Sequence, residues 1–232
     1  MALPVYTAVC THKALIAREV YEMRFTKPAG FMFKAGQFIL FDVPLLEKPD
    51  DIQTRALSIA STPDESELLF VVKLQEGGRM SRWIEESLQE GSSVTFKGPF
   101  GNFTLKPSSG AAAPPSPVST GEGTNSGSLL FIATGAGLAP FRPMVLEAAQ
   151  KFPGRRIDIL FGVRSEEDLF WIEWLEETSK KSGNVFSHIA LSQGSPSWTG
   201  HRGRVQTVAP QVVQNDFTGK SRYVCGNPDM TT

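Results

Sequence analysis

Leu129-Leu130-Phe131-Ile132-Ala133-Thr134-Gly135-Ala136-Gly137-Leu138-Ala139-Pro140 is the stretch around which the chain is organised. Its apolar start reads as a buried parallel strand, which breaks at Thr-Gly-x-Gly. Pro140 then opens an amphipathic helix, with Phe141, Met144, Val145 and Ala148 at helical spacing. Strand, glycine turn and helix start together suit a phosphate. Glycine lets the backbone approach an anion closely, and the unpaired N–H groups of the first helical turn face it. Pro140 stands where the dinucleotide fingerprint has its third glycine. Taken alone, the stretch is either a phosphate cradle or a tight strand-to-helix turn.

Downstream, β-prone runs at 129–134, 157–162, 185–191 and 222–225 alternate with helical runs at 141–151, 166–180 and 203–213. This alternation predicts an α/β domain over 129–232, a parallel sheet with helices on its faces. Ligands of such sheets bind at the carboxyl ends of the strands, where the Gly135 turn, Arg164 and Cys225-Gly226 all fall.

Upstream, residues 107–128 hold almost no large apolar side chain. Such a segment buries too little surface to offset its ordering entropy and reads as a flexible linker or surface loop. Before it, six short β-prone runs (2–9, 20–26, 37–43, 55–60, 68–73 and 93–98) and one helical run at 81–88 predict a small antiparallel β-barrel over 1–106.

The 232 residues carry 23 basic and 24 acidic side chains. Near balance gives no overall pull toward nucleic acid or an anionic membrane. No apolar run approaches membrane-spanning length, and the start lacks a signal-peptide pattern, so a cytoplasmic protein or one of an organelle interior is expected. Cys10 and Cys225 lie far apart, with no zinc or iron–sulfur spacing, and His12, His188 and His201 lack metal-ligand spacing; no metal is expected.

Four further stretches have chemistry on offer. In Arg55-Ala56-Leu57-Ser58 the arginine suits a phosphate fork and the serine a ring nitrogen, or they are a surface arginine and a strand serine. Gly77-Gly78-Arg79-Met80-Ser81 precedes the helical run and is an anion-facing helix start or an ordinary capped turn. Gly98-Pro99-Phe100-Gly101-Asn102-Phe103 reads as a turn with two aromatic core residues. Cys225-Gly226-Asn227-Pro228-Asp229-Met230 places Cys225 at the floor of the cleft, with no activating base beside it in sequence.

In this order, these stretches and the Gly135 turn resemble the ferredoxin–NADP reductase superfamily of flavin-dependent oxidoreductases. The resemblance implies a flavin-binding barrel, a nicotinamide-binding α/β domain, and hydride transfer from NADH or NADPH to the flavin, FAD rather than FMN. It implies that Arg55, with Ala56 and Leu57, meets the flavin and its phosphate, and that Ser58 lies near the reactive nitrogen. Residues Gly78, Arg79, Met80 and Ser81 would bind the flavin's pyrophosphate. Thr134, Gly135, Ala136, Gly137 and Pro140 would cradle that of the nicotinamide cofactor, with Arg164 beside it. Cys225 and Gly226 would line the nicotinamide site. Electrons would leave to a separate acceptor.

Leu57 departs from the pattern, which has a flavin-stacking aromatic there. This motivates an alternative, a reductase of free flavin with loosely held cofactor. A further alternative is a non-catalytic docking subunit. Relatives have a Ser-Arg pair where this chain has Ser192-Gln193; Arg202 and Arg204 follow, and NADH is the expected donor. Only Thr231 and Thr232 follow Met230. The α/β domain is therefore expected to be incomplete there, its sheet face covered by more chain, a partner subunit or a second copy.

Overall fold

The computed structural model describes residues 4–106 and 127–227. Of the expected linker only Gly127 and Ser128 are described; the rest of it, and Pro228-Asp229-Met230, lie outside the described residues.

The first half is an antiparallel sheet of β1 (Val5–Ala17), β2 (Val20–Thr26), β3 (Phe38–Leu45), β4 (Lys48–Ser58), β5 (Glu67–Lys73) and β6 (Ser93–Phe100), with α1 (Arg79–Glu86) between β5 and β6. Strand order is β4-β3-β6-β1-β2-β5. Alternation sets which side chains turn inward. In β3, Ile39, Phe41 and Val43 are buried. Phe41 lies at the centre, its ring centroid 5.2 Å from both Phe25 and Phe70. Trp83 and Ile84 of α1 complete this core.

The second half stacks β7 (Leu129–Thr134), α2 (Phe141–Lys151), β8 (Ile157–Val163), α3 (Ile172–Ser182), β9 (Val185–Leu191), β10 (His201–Arg202), α4 (Val205–Val212) and β11 (Ser221–Cys225). The sheet is parallel, in the order β10-β9-β8-β7-β11. Both faces are covered at β7 and β8, which is why these two are nearly continuous apolar runs, whereas Val224 of the edge strand β11 is exposed. Phe131, Ile159 and Phe161 pack with Phe141 and Met144 of α2 and Leu175 of α3. On the other face, Leu160 and Ala190 pack on Val205, Val208 and Ala209 of α4.

The halves share a core, because Val20, Ala35, Ala60, Leu69 and Val71 of the barrel join the α2–α3 cluster. Polar ties flank it. The Lys106 amide donates to the Tyr223 hydroxyl at 3.1 Å. Arg142 of α2 donates to the Ala60 carbonyl at 3.0 Å and to Glu65 at 2.7 Å.

Three local expectations are corrected. The first strand runs to Ala17, because His12 and Lys13 pair with Arg24 and Met23 of β2, the ladder bulging at Thr11 and again at Ile16. The helix expected over 166–180 is split: residues 166–168 form a 3₁₀ turn, Trp171 takes φ 56°, and α3 begins at Ile172. The Asp168 carboxylate accepts the Ser165 amide and hydroxyl in a capping box and also pairs with Arg18, so the chain turns there. Phe103, expected in the core, is 37% exposed and bridges Phe141 and Tyr223 instead.

Candidate active site

β4 and β5 stand at the two ends of the barrel's strand order. Just past β4 the barrel closes: the Ala60 amide donates to the Leu69 carbonyl at 2.8 Å, and the Leu69 amide donates to Ser61 Oγ at 3.2 Å. Residues 56–58 of β4 and 71–73 of β5 have no such link and line a slot. This slot opens onto the carboxyl ends of β7 and β11, and the combined cleft encloses about 590 Å³. Ala56, Leu57, Ser58, Thr134, Gly135, Ala136, Gly137, Cys225 and Gly226 all line it. The slot side was not legible as Val71, Val72, Lys73 and Gln75, which also line it. The junction of β7 and β11 is the switch point of the sheet, where doubly wound folds bind ligands.

The glycines of the two turns do different work. Gly135 has φ +51°, and a Cβ there would meet nothing within 4 Å, so its open side is free for a ligand. A Cβ on Gly137 would run into the Cys225 carbonyl, and one on Gly226, at φ +149°, into Thr134 Oγ1. Gly137 and Gly226 therefore let two backbone turns touch. Thr134 Oγ1 seals that contact by accepting the Asn227 amide at 3.0 Å. Pro140 is the buried N-cap of α2 and does not line the cleft.

Beside the slot, α1 starts from Gly78 in extended conformation, with no side chain capping its first turn. Ser81 Oγ accepts the Gln75 amide at 2.8 Å and so shapes the turn. The Met80 side chain is buried, leaving its backbone for any ligand. Arg55 donates to the Thr54 carbonyl at 3.0 Å and to Gln53 Oε1 at 2.5 Å. Arg79 is held by Asp51, through its carbonyl at 2.8 Å and its carboxylate at 2.9 Å. Both arginines near the slot thus already have protein acceptors.

A second hollow, about 570 Å³, lies at the carboxyl ends of β8 and β9 and the start of α4, lined by Thr134, Arg164, Ser192, Gln193, Arg204 and Asn227 among others. Arg164 and Arg204 are exposed and have no side-chain partner among the described residues. Arg202 is occupied, donating to the carbonyls of Gly194, Ser195, Pro196 and Trp198. So two cations gather beside the uncharged Ser192-Gln193, and among the described residues no carboxylate lines the hollow.

Ser58 lines the slot, half-buried, and its hydroxyl has no partner among the described residues. Burial pushes the Cys225 thiol up, so it stays protonated at neutral pH and suits shaping the cleft rather than attack. Among the described residues no three His, Cys, Asp or Glu are placed to hold a metal, and no helix is long and apolar enough to cross a membrane. The donor set fits a flavin nucleotide and a nicotinamide dinucleotide. It offers an apolar slot with one free hydroxyl, an uncapped helix start, an open glycine turn and two unpartnered cations.

Comparison with known proteins agrees. Family models described as oxidoreductase FAD-binding domain and oxidoreductase NAD-binding domain match residues 7–105 and 131–232. The chain is 34% identical over 222 residues to ferredoxin–NADP reductase B of Sorangium cellulosum, covering 92% of this chain and 82% of that protein. It is 32% identical over 202 residues to the phenol 2-monooxygenase reductase component DmpP of Pseudomonas sp., covering 85% of this chain and 51% of that one. Among solved structures, its fold is similar to that of the Amycolatopsis cytochrome P450 reductase GcoB, with TM-score 0.83, 24% identity, and 99% of this chain and 64% of that one covered. It is likewise similar to a Neisseria gonorrhoeae ferredoxin NADP+ reductase with bound FAD and NADP, with TM-score 0.79, 19% identity, and 97% and 87% covered.

Proposed function

The chain belongs to the ferredoxin–NADP reductase superfamily and is an NAD(P)H-dependent FAD oxidoreductase, and from that premise we propose that NADPH is its donor and a separate redox protein its acceptor. The observation that carries this reading is the single cleft. It joins residues 56–58 of the barrel to the Gly135 and Cys225-Gly226 turns of the sheet, so that two bound cofactors would face each other. When bound, the flavin supplies the chemistry, taking a hydride from the nicotinamide and passing its electrons onward.

The protein's part is alignment and exclusion of water. In this reading the Ser58 hydroxyl hydrogen-bonds the flavin's reactive edge, and Leu57 packs against the ring. The first turn of α1, residues 78–81, directs its amides at the flavin's phosphates, and Arg55 swings from Gln53 to join them. Gly135 and Ala136 receive the nicotinamide cofactor's pyrophosphate, and Cys225 and Gly226 bound its ring. Arg164 and Arg204 select for a third phosphate, which replaces the expectation of NADH. That expectation rested on Ser192-Gln193, and the nearby guanidinium groups supply the charge these residues lack. The reductases named above are associated in their names with ferredoxin, a monooxygenase and a cytochrome P450. These 232 residues hold two cysteines without iron–sulfur spacing, so an iron–sulfur centre that takes the electrons would lie outside this stretch of chain.

A second reading, in which flavin is exchanged as a substrate, is favoured by Leu57 and by the protein-bound state of Arg55 and Arg79. One experiment tests both. The purified chain is assayed with NADPH and with NADH, before and after adding FAD. A yellow protein that oxidises NADPH faster than NADH supports the first reading, and a colourless one active only with added FAD the second. A chain inert in every case would remove both.

A further inference from the structure

The hairpin turn between β1 and β2 meets the turn after β8. The Arg18 amide donates to the Glu167 carbonyl at 2.9 Å. Its guanidinium forks over the Asp168 carboxylate, Nε to Oδ1 at 3.1 Å and Nη2 to Oδ2 at 2.6 Å, and also reaches Ser165 Oγ at 3.2 Å and Glu167 at 3.0 Å. Asp168 is only 8% exposed. Lys73, which lines the flavin slot, donates to the Arg18 carbonyl at 2.6 Å and lies 3.7 Å from Asp168.

The other end of this contact reaches the donor pocket. Asp168 closes a capping box on Ser165, the residue after Arg164. The same turn is pinned from its far side: the Gln193 amide donates to the Arg164 carbonyl at 2.7 Å, and Glu166 accepts the Ser195 amide at 2.9 Å and hydroxyl at 2.6 Å. Arg18, Lys73, Gly135, Arg164 and Asp168 line one hollow between the domains, about 550 Å³. Among the described residues, other polar ties run from Lys106 to Tyr223, from Arg142 to Ala60 and Glu65, and from Trp171 to Glu22, none of them to residues 163–168.

We propose that Arg18 and Asp168 are the positioning pair for hydride transfer, fixing the turn that carries Arg164 against the barrel edge that carries Lys73, and so setting the nicotinamide's reach to the flavin. This rests on the functional reading above. Neither side chain touches the reacting atoms. Their effect is on distance, and a planar fork fixes distance and angle together as an ammonium does not. Misplacing a bound reactant by about 1 Å can cost on the order of 100-fold in rate.

The test uses the full chain with Arg18→Gln, which removes the fork and leaves the Ser165–Asp168 box intact, and Arg18→Lys, which keeps the charge without the fork. Amide hydrogen exchange is read over residues 17–20 and 165–169 without cofactor. Flavin reduction by NADPH is then followed in single turnovers, with dithionite reduction, flavin content and NADP+ affinity as references. Both variants should exchange faster in these two segments. Their hydride transfer at saturating NADPH should slow about 10- to 100-fold, with dithionite reduction and flavin content within about twofold of the unaltered chain and NADP+ affinity falling by a smaller factor than the transfer rate. Unchanged exchange, or transfer at the unaltered rate, would overturn the assignment. So would an Arg18→Lys that behaves as the unaltered chain. If the unaltered chain itself, given FAD, oxidises neither nucleotide, the functional reading fails. Faster exchange would then still support the pair as what fixes the two domains, and unchanged exchange would overturn it.

Discussion

The barrel and the parallel sheet each bring two arginines to a proposed cofactor site, and they hold them differently. In the barrel, Arg55 is bonded to Gln53 and Thr54, and Arg79 to Asp51. In the sheet, Arg164 and Arg204 face their hollow with no side-chain partner among the described residues. An anion arriving at the sheet gains two charge-assisted contacts at little cost in broken bonds. One arriving at the barrel must compete with protein acceptors already in place. The contrast predicts a donor site that is ready to bind and a flavin site whose affinity is held down from within.

The largest effect should come from emptying the sheet's hollow. Arg164→Ala with Arg204→Ala should raise the KM for NADPH about 100-fold, since each charge-assisted contact is worth about 1.5–3 kcal/mol before solvent screening. The KM for NADH should move little. Equal loss with both nucleotides would show that the hollow does not read the third phosphate. Next comes the turn itself. Gly137→Ala would meet the Cys225 carbonyl and should destabilise the protein by about 1–3 kcal/mol. Gly135→Ala, strained in φ but facing open space, should cost about 1 kcal/mol while weakening nucleotide binding. Urea denaturation and NADP+ titration of the two variants separate a packing glycine from a binding one.

The barrel's side is sharpened by gains. Asp51→Asn weakens the hold on Arg79, and Leu57→Tyr restores a ring, worth about 0.5–1.5 kcal/mol beyond its buried area. Each should tighten FAD several-fold up to about tenfold. No gain from either, by fluorescence titration, would mean that the barrel's affinity is not limited by these residues. The smallest effect is on acid stability. Burial alone would raise the Asp158 and Asp168 carboxyls. Hydrogen bonds from His188 and Arg156 to the first, and from Arg18 and Ser165 to the second, outweigh it and leave both below the usual range. A depressed folded value means stability that is present above the unfolded carboxylate value of about 3.9 and lost as pH falls through the folded one. The urea midpoint should therefore fall below about pH 4, and Asp158→Asn should flatten that fall.

Much of the architecture was legible because local pattern and tertiary role agree. The strands at 20–26, 129–134 and 185–191 and the helix at 141–151 begin and end where their apolar periods do. The Gly135 turn declared its place because parallel strands always present their carboxyl ends to the ligand. What stayed hidden depends on partners far along the chain. Lys48-Pro49-Asp50-Asp51 reads as a loop, yet it starts β4, held by Asp51–Arg79 and Glu47–Arg82 across to α1. Arg18 and Asp168 lie 150 residues apart, and nothing near either announces the other. The slot's second wall, residues 71–73, reads as ordinary strand, since only the barrel's strand order makes it a wall.

That strand order has one more consequence, for manufacture in the cell. The barrel lacks one seam: along residues 56–58 and 71–73, two strand edges look at each other with no ladder between them. A flavin seated there would act as the missing stave, so cofactor supply becomes part of maturation. Until it arrives, each edge is a template for another chain, and unpaired edges seed aggregation. The soluble yield of the chain should rise when the expressing culture is fed riboflavin, and the share recovered as insoluble protein should fall in step.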